Sequence, residues 1–248
     1  MVLYKEIPPC PALAPFVACL WTCRLIPPVS HRVLPDNCID ILWQDGGAGG
    51  SVAGMMSCAI EVATARPVRT IAVRFKPGAA AHFFSLPLHE LADQHPPLDD
   101  VWGAGASPAF DEALWSRPLS DDQALAKLQH MLLRRVASVA RPGLAEAALG
   151  AIERSHGALR IETLAKSLGV SRQHLASQFR IRVGLGAKQF ARVCRFREAS
   201  ARIRATPAEQ LDWSRLALDL GYYDQAHLIH EFRALSGSTP ESFAAQRS

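Results

Sequence analysis

The stretch Leu164-Ala165-Lys166-Ser167-Leu168-Gly169 returns 52 residues later as Leu216-Ala217-Leu218-Asp219-Leu220-Gly221. One inserted residue in the second turn raises the offset to 53, and the match continues. His174-Leu175 pairs with His227-Leu228, Phe179-Arg180 with Phe232-Arg233, Gly184 with Gly237 and Phe190 with Phe243. Ten identities at this spacing mark an internal repeat, so both copies fold as the same supersecondary unit.

Both copies follow one physical pattern. Ile161, Leu164, Ala165 and Leu168, like Trp213, Leu216, Ala217 and Leu220, give a short helix its buried stripe. Gly169 or Gly221 ends that helix, and Ser171 or Asp224 caps the next by accepting from its free N–H groups. Leu175 with Phe179, and Leu228 with Phe232, stand four apart and turn the second helix into the same small core. Each copy is therefore a helix-turn-helix unit with a glycine in its turn. Between them, Ala187–Ala205 reads as one long helix with Phe190, Val193, Phe196 and Ile203 on one side. At 1.5 Å per residue it is ~28 Å long. That approaches the ~34 Å turn of DNA, so the strut can hold two recognition helices in successive major-groove segments on one face of a duplex.

Charge separates along the chain in the same sense. Residues 1–150 carry 12 Lys and Arg against 14 Asp and Glu, a net of −2, while residues 151–248 carry 15 against 9, a net of +6. A basic C-terminal part beside a nearly neutral one suits a polyanion-binding module attached to something with another task.

Residues from about 150 to 246 resemble the DNA-binding domain of the AraC/XylS family of bacterial transcription regulators. The resemblance is carried above all by Gly221-Tyr222-Tyr223-Asp224-Gln225-Ala226-His227-Leu228-Ile229-His230-Glu231-Phe232-Arg233 and then Gly237-Ser238-Thr239-Pro240. The chain departs from the pattern at Ala226, Leu228 and Ala187, where serine, phenylalanine and proline are common. The resemblance implies a seven-helix module that binds double-stranded promoter DNA, with contact to RNA polymerase as a further expectation. With Leu175 and Phe179 inward, the first recognition helix presents Arg172, Gln173, Ala176, Ser177 and Arg180. The second presents Gln225, Ala226, Ile229, His230 and Arg233. Glutamine can pair with adenine and arginine with guanine, while alanine and isoleucine can pack on a thymine methyl. Gln173, Ser177, Gln225 and His230 are the expected base readers. Arg172, Arg180, Arg192, Arg195 and Arg233 are expected at phosphates, which position a protein without specifying sequence.

The first ~100 residues read as β-rich, with apolar stretches at 16–21, 38–43, 51–56 and 70–75 between Pro, Gly and Asp turn signals. Asp45-Gly46-Gly47-Ala48-Gly49-Gly50 reads as a hairpin loop, since no Lys-Ser/Thr pair follows to make it a phosphate cradle. From Ala79 the pattern turns helical. Ser120-Asp121-Asp122-Gln123 is a capping box that opens an amphipathic helix with Leu125, Leu128, Leu132 and Val136, ending near Arg141-Pro142-Gly143. This connector is expected to pack on its own domain, with homodimerisation the other use of its apolar face. Leu34-Pro35-Asp36-Asn37-Cys38-Ile39-Asp40-Ile41-Leu42-Trp43, Val73-Arg74-Phe75-Lys76-Pro77-Gly78 and Pro97-Leu98-Asp99-Asp100-Val101-Trp102-Gly103 resemble a domain often attached to the AraC/XylS module, which implies a regulatory or sensing role.

Trp21, Trp43 and Trp102 are the candidate effector-binding residues, as the lining of an apolar pocket, against the alternative that they are core. Cys19 and Cys23 form the one close cysteine pair, where a structural zinc site needs two, so no metal is expected. His31, His82, His89 and His95 make no His-x-His pair, and there is no G-x-S-x-G, Walker or H-E-x-x-H motif, so no catalytic residue and no cofactor is assigned. Asp36 and Asp40 read as structural rather than as a catalytic carboxylate pair. No apolar run approaches the ~18 residues of a membrane helix, and no basic-then-apolar leader opens the chain, so a soluble cytoplasmic protein without membrane contact is expected.

The sequence thus predicts an α+β chain: a β-rich sensor or regulatory domain over 1–105, a helical connector over 106–149, and an all-α AraC/XylS-type DNA-binding domain over 150–248. The expected function is sequence-specific transcription regulation, not enzymatic, in response to a small-molecule effector or chemical signal. The alternative is a reactive-cysteine sensor or repair-type protein with DNA binding as its readout.

Overall fold

The computed structural model describes residues 1–47, 49–103, 108–136 and 143–246. Seven strands come first: β1 (Val2–Ile7), β2 (Val17–Leu25), β3 (Val29–Val33), β4 (Ile39–Gln44), β5 (Gly50–Ala53), β6 (Ile60–Thr64) and β7 (Val68–Phe75). Five form an antiparallel sheet in the order β1-β2-β7-β4-β5, and β3 pairs with β6 as a separate two-stranded ribbon. The glycine-rich 45–50 segment joins β4 to β5 as a hairpin, with Ala48 outside the described residues.

Period-two alternation gives the large sheet two faces. Leu20, Ile41, Trp43, Ile71, Val73 and Phe75 point into the main core. There they meet Leu125, Leu128 and Leu132 of the connector helix α3 (Asp121–Arg135). The capping box of α3 is formed: Ser120 accepts from the Gln123 N–H while the Gln123 side chain accepts from the Ser120 N–H. Asp121 of its first turn draws Arg69, Arg24 and Thr22 of the sheet onto the helix end. The apolar stripe of α3 is therefore spent within its own domain. The helix stops at Arg135, and the expected end at 141–142 lies outside the described residues. The opposite sheet face carries a small cluster of Cys19, Trp21 and Ala72 beside a charged network, in which Arg74 reaches Asp40 at 3.1 Å, Asp36 at 3.4 Å and Glu6 at 3.7 Å. Burial pushes the Asp40 carboxyl up to about 6 against the lowering effect of Arg74.

Short helices α1 (Leu98–Trp102) and α2 (Pro108–Trp115) precede α3. Seven α-helices then follow: α4 (Leu144–Arg154), α5 (Ile161–Ser167), α6 (Arg172–Val183), α7 (Ala187–Ala205), α8 (Trp213–Asp219), α9 (Gln225–Ser236) and α10 (Pro240–Ala245). Helix α4 runs across residues 149 and 150, the expected junction of connector and C-terminal domain.

The apolar core is divided unequally. The main core runs without a break from the sheet through α3 into α4, α5, α6 and the first part of α7, ending at Phe190, Ala191 and Cys194. A second core gathers Val193, Phe196, Ala199 and Ile203 of α7 around Leu216, Ala217, Leu220, Leu228, Phe232 and Leu235. The first helical pair is thus continuous with the β domain, while the second has a core of its own.

Candidate nucleic-acid interface

The two repeat copies build matching units. Helices α5 and α8 have 7 residues each, and α6 and α9 have 12 each. Both short helices close the same way. The Val170 N–H reaches the Ala165 carbonyl and the Gly169 N–H that of Lys166, while Tyr222 reaches Ala217 and Gly221 reaches Leu218. This pair of bonds needs a left-handed residue, and Gly169 (φ 70°) and Gly221 (φ 76°) supply it without the clash a Cβ would bring. Ser171 then accepts from the His174 N–H and Asp224 from the His227 N–H, setting the start of each recognition helix. Thr239 caps α10 with Pro240 at its first position.

Leu175, Phe179 and Val183 of α6 are buried, as are Leu228, Phe232 and Leu235 of α9, and this leaves the opposite faces to solvent. On α6, Arg172, Gln173, Ala176, Ser177 and Arg180 are exposed together; on α9, Ala226, Ile229, His230 and Arg233 are exposed and Gln225 is half-buried. The Ser214 hydroxyl donates to Gln225 Oε1 at 3.0 Å, fixing the carboxamide with its NH₂ group free to donate. Arg172, Arg180 and Arg233 make no ion pair among the described residues.

Two arginines expected at phosphates are engaged within the protein. Arg192 Nε meets Glu231 Oε2 at 2.6 Å and its Nη1 donates to Gln189 Oε1 at 2.6 Å, tying α7 to α9 with side chains only 26% and 12% exposed. Burial raises the Glu231 pKa, but the Arg192 hydrogen bond and charge outweigh it and hold that carboxyl below the ordinary glutamate range. Arg195 donates to the Gly157 carbonyl and lies 5.5 Å over the Tyr222 ring. Sequence spacing does not reveal these partners because Glu231 lies 39 residues from Arg192.

Tyr223, the extra residue of the second turn, is 85% exposed at the head of α9, and its N–H donates to His227 Nδ1. The single-residue shift of the repeat was the signal for it.

The three tryptophans are not brought together. Trp43 is fully buried in the main core against Phe110, with its indole N–H unpartnered among the described residues. Trp21 lies on the other sheet face and donates to Asp40. Trp102 donates to the Phe83 carbonyl and lies under the Arg135 guanidinium at 4.0 Å. They share no pocket; each packs where its own element puts it. A cleft of about 270 Å³ lies elsewhere, between α4 and α7, lined by Glu153, His156, Cys194, Arg197, Glu198 and Ala201. No group of three or more His, Cys, Asp or Glu residues able to hold a metal occurs among the described residues. No helix of the described residues is long and apolar enough to cross a membrane.

Two capped helix-turn-helix units thus share one helix, each with the outer face of its second helix open to solvent. Residues 164–246 match the family model of a helix-turn-helix domain, and residues 5–97 match that of a domain of unknown function (DUF6597). No curated relative matches the chain. ToxT from Vibrio cholerae is similar over 98% of both chains, with a TM-score of 0.51 at 8% identity. A structure of ToxT from Vibrio cholerae O395, bound to (E)-4-(8-methylnaphthalen-1-yl)but-3-enoic acid, covers 92% of this chain and 98% of that one with a TM-score of 0.50 at 9% identity. At such identities the likeness is one of fold. The C-terminal domain of AraT, a response regulator from Geobacillus stearothermophilus, is 22% identical over 44% of this chain and 89% of that one, with a TM-score of 0.40. The C-terminal part of the chain is thus a helix-turn-helix domain, and over its length the chain shares the fold of ToxT.

Proposed function

We propose that the protein is a sequence-specific regulator that reads two successive major-groove segments and answers to a small-molecule or chemical signal received by its N-terminal domain. The observation that carries this reading is the pair of second helices of equal length, each N-capped by a side-chain oxygen and each with an exposed polar face, on one 19-residue strut. Gln173, Ser177, Gln225 and His230 take the base-reading role. Arg172, Arg180 and Arg233 take the phosphate role, while Arg192 braces α9. Ala176, Ala226 and Ile229 supply apolar contact for thymine methyls.

Coupling to a signal is supported by the main core, which joins the sheet to α6 without a break, so a change in the β domain alters what the first recognition helix packs on. The shared fold of ToxT, with its bound aryl-butenoic acid, supports a small molecule as the signal. The reactive-cysteine alternative fits Cys19, Cys23, Cys38 and Cys194 less well than it fits the exposed Cys58. Burial pushes the Cys19 thiol up to about 12 and that of Cys194 up to about 11, and it raises Cys23 and Cys38 as well, which leaves these four little thiolate.

Selection of bound fragments from genomic DNA by the purified full chain, at near-physiological salt, tests the reading. Enrichment of a bipartite motif is expected. Equal retention of all sequences would overturn it in favour of non-specific coating.

A further inference from the structure

The N-terminal domain does more than carry the first helix-turn-helix unit; it also reaches the second. The Ala59 N–H donates to the Leu235 carbonyl at 2.8 Å, and Arg32 Nη1 donates to the Ser236 carbonyl at 3.3 Å. Both acceptors lie in the last turn of α9, where helix carbonyls have no partner inside the helix. Arg32 is itself held by Glu61 across the β3–β6 ribbon, and Glu61 also accepts from Ser30. Leu34, at the end of the same ribbon, packs on the second core.

The strut is held from the same side. Asn37 is fully buried, in a left-handed conformation (φ 64°), and its amide donates to the Phe190 carbonyl and to Cys194 Sγ. Gln189 of α7 donates to the Ser57 carbonyl. The two segments that leave the ribbon, 33–37 and 57–59, therefore form one seat under both α7 and the C-terminal end of α9. The second unit meets the β domain through this seat, although its apolar core is separate. The first unit is fixed differently, by apolar packing of α6 on the segment from Ala79 to Leu91.

We propose that the β3–β6 ribbon is the gauge of the tandem reader: Arg32, held by Glu61, and the Ala59 N–H are positioning groups that fix the angle of α9 relative to α6, and so the spacing between half-sites the protein accepts. The inference rests on the DNA-reading function proposed above. One base pair of added spacing moves a half-site ~3.4 Å along the duplex and turns it by ~34°. A strut alone tolerates such a shift better than a strut whose two reading heads are both tied to the N-terminal domain, one through the ribbon and one through the 79–91 segment. Loss of the ribbon contact should accordingly broaden the accepted spacing without removing the reading of either half-site.

The test uses the full chain and a set of duplexes that carry the selected bipartite site with 0, ±1 and ±2 base pairs inserted between its halves. Binding is measured for the natural protein, Arg32→Ala and Glu61→Ala, with a melting curve for each. The natural protein is expected to prefer one spacing. Both variants should lose ~5-fold of that preference, the worth of about one ordinary hydrogen bond, while affinity for a duplex holding only the half-site read by α6 stays unchanged. A uniform drop at every spacing, or an unchanged spacing profile in folded variants, overturns the gauge and leaves the tandem reader standing. Failure of the natural protein to bind any duplex selectively overturns both.

Discussion

Phe232 gives the sharpest test of the divided core. It is fully buried in the second core, with the Phe196 ring centred 4.8 Å away and the Phe243 ring 5.2 Å away, both edge-on. Phe232→Ala removes a buried aromatic side chain at a cost of ~3–5 kcal/mol, of which each edge-on pair accounts for ~0.5–1.5 kcal/mol. A small satellite core cannot absorb that loss, so α8, α9 and α10 should open locally while the sheet stays closed. Phe179→Ala makes the same deletion at the matching repeat position, but in the core that runs into the β domain, so its cost should appear in the stability of the whole N-terminal body. Hydrogen exchange by peptide separates the two. Phe232→Ala should strip protection from 211–246 and leave β2, β4, β7 and α3 near their natural values, whereas Phe179→Ala should lower protection in α4, α6 and the sheet together. Equal loss of protection across the whole chain in Phe232→Ala, or a cost below ~1 kcal/mol, would refute two separately packed units.

Other outcomes follow from single side chains. Gln225→Ala should relax base preference at one position of the second half-site, at a cost of ~1–3 kcal/mol on the preferred sequence, as read by competition binding against single-base variants. Arg192→Ala should weaken binding to all sequences by loosening α9, yet leave the salt dependence of binding unchanged; a slope reduced by ~1 would instead place Arg192 at a phosphate. Of the six cysteines Cys58 is the one exposed, so limited alkylation of the native protein should label it first, as mass mapping would show; faster labelling of Cys19 or Cys194 would contradict their burial.

Much of the C-terminal domain can be read from the chain because its information is local. The caps Ser171, Asp224 and Thr239, the turn glycines and the four-residue spacing of Leu175 with Phe179 all act within one or two turns. The 19-residue strut appears at its expected ends for the same reason. The β domain is less legible. Strands β2, β4, β5 and β7 carry apolar runs, but β1 is an edge strand with five of its six residues exposed, and it shows no alternation to find. Strands β3 and β6 form a ribbon outside the main sheet, with Arg32, Glu61 and Ser30 bonded across its polar side.

The candidate site divides along the same line. Which residues of α6 and α9 face outward follows from helical periodicity. That Arg192 meets Glu231, that Arg195 meets Gly157, and that Ala59 reaches the end of α9 follow only from tertiary packing. The three tryptophans show the limit clearly, since residue type cannot say which face of which element each will occupy.

Hydroxyl-radical footprinting of the natural protein on its selected site tests the tandem reader most directly. Two protected patches on one face of the duplex, centred about one helical turn apart, are predicted from the length of α7. A single patch, or two patches on opposite faces, would contradict simultaneous engagement by α6 and α9.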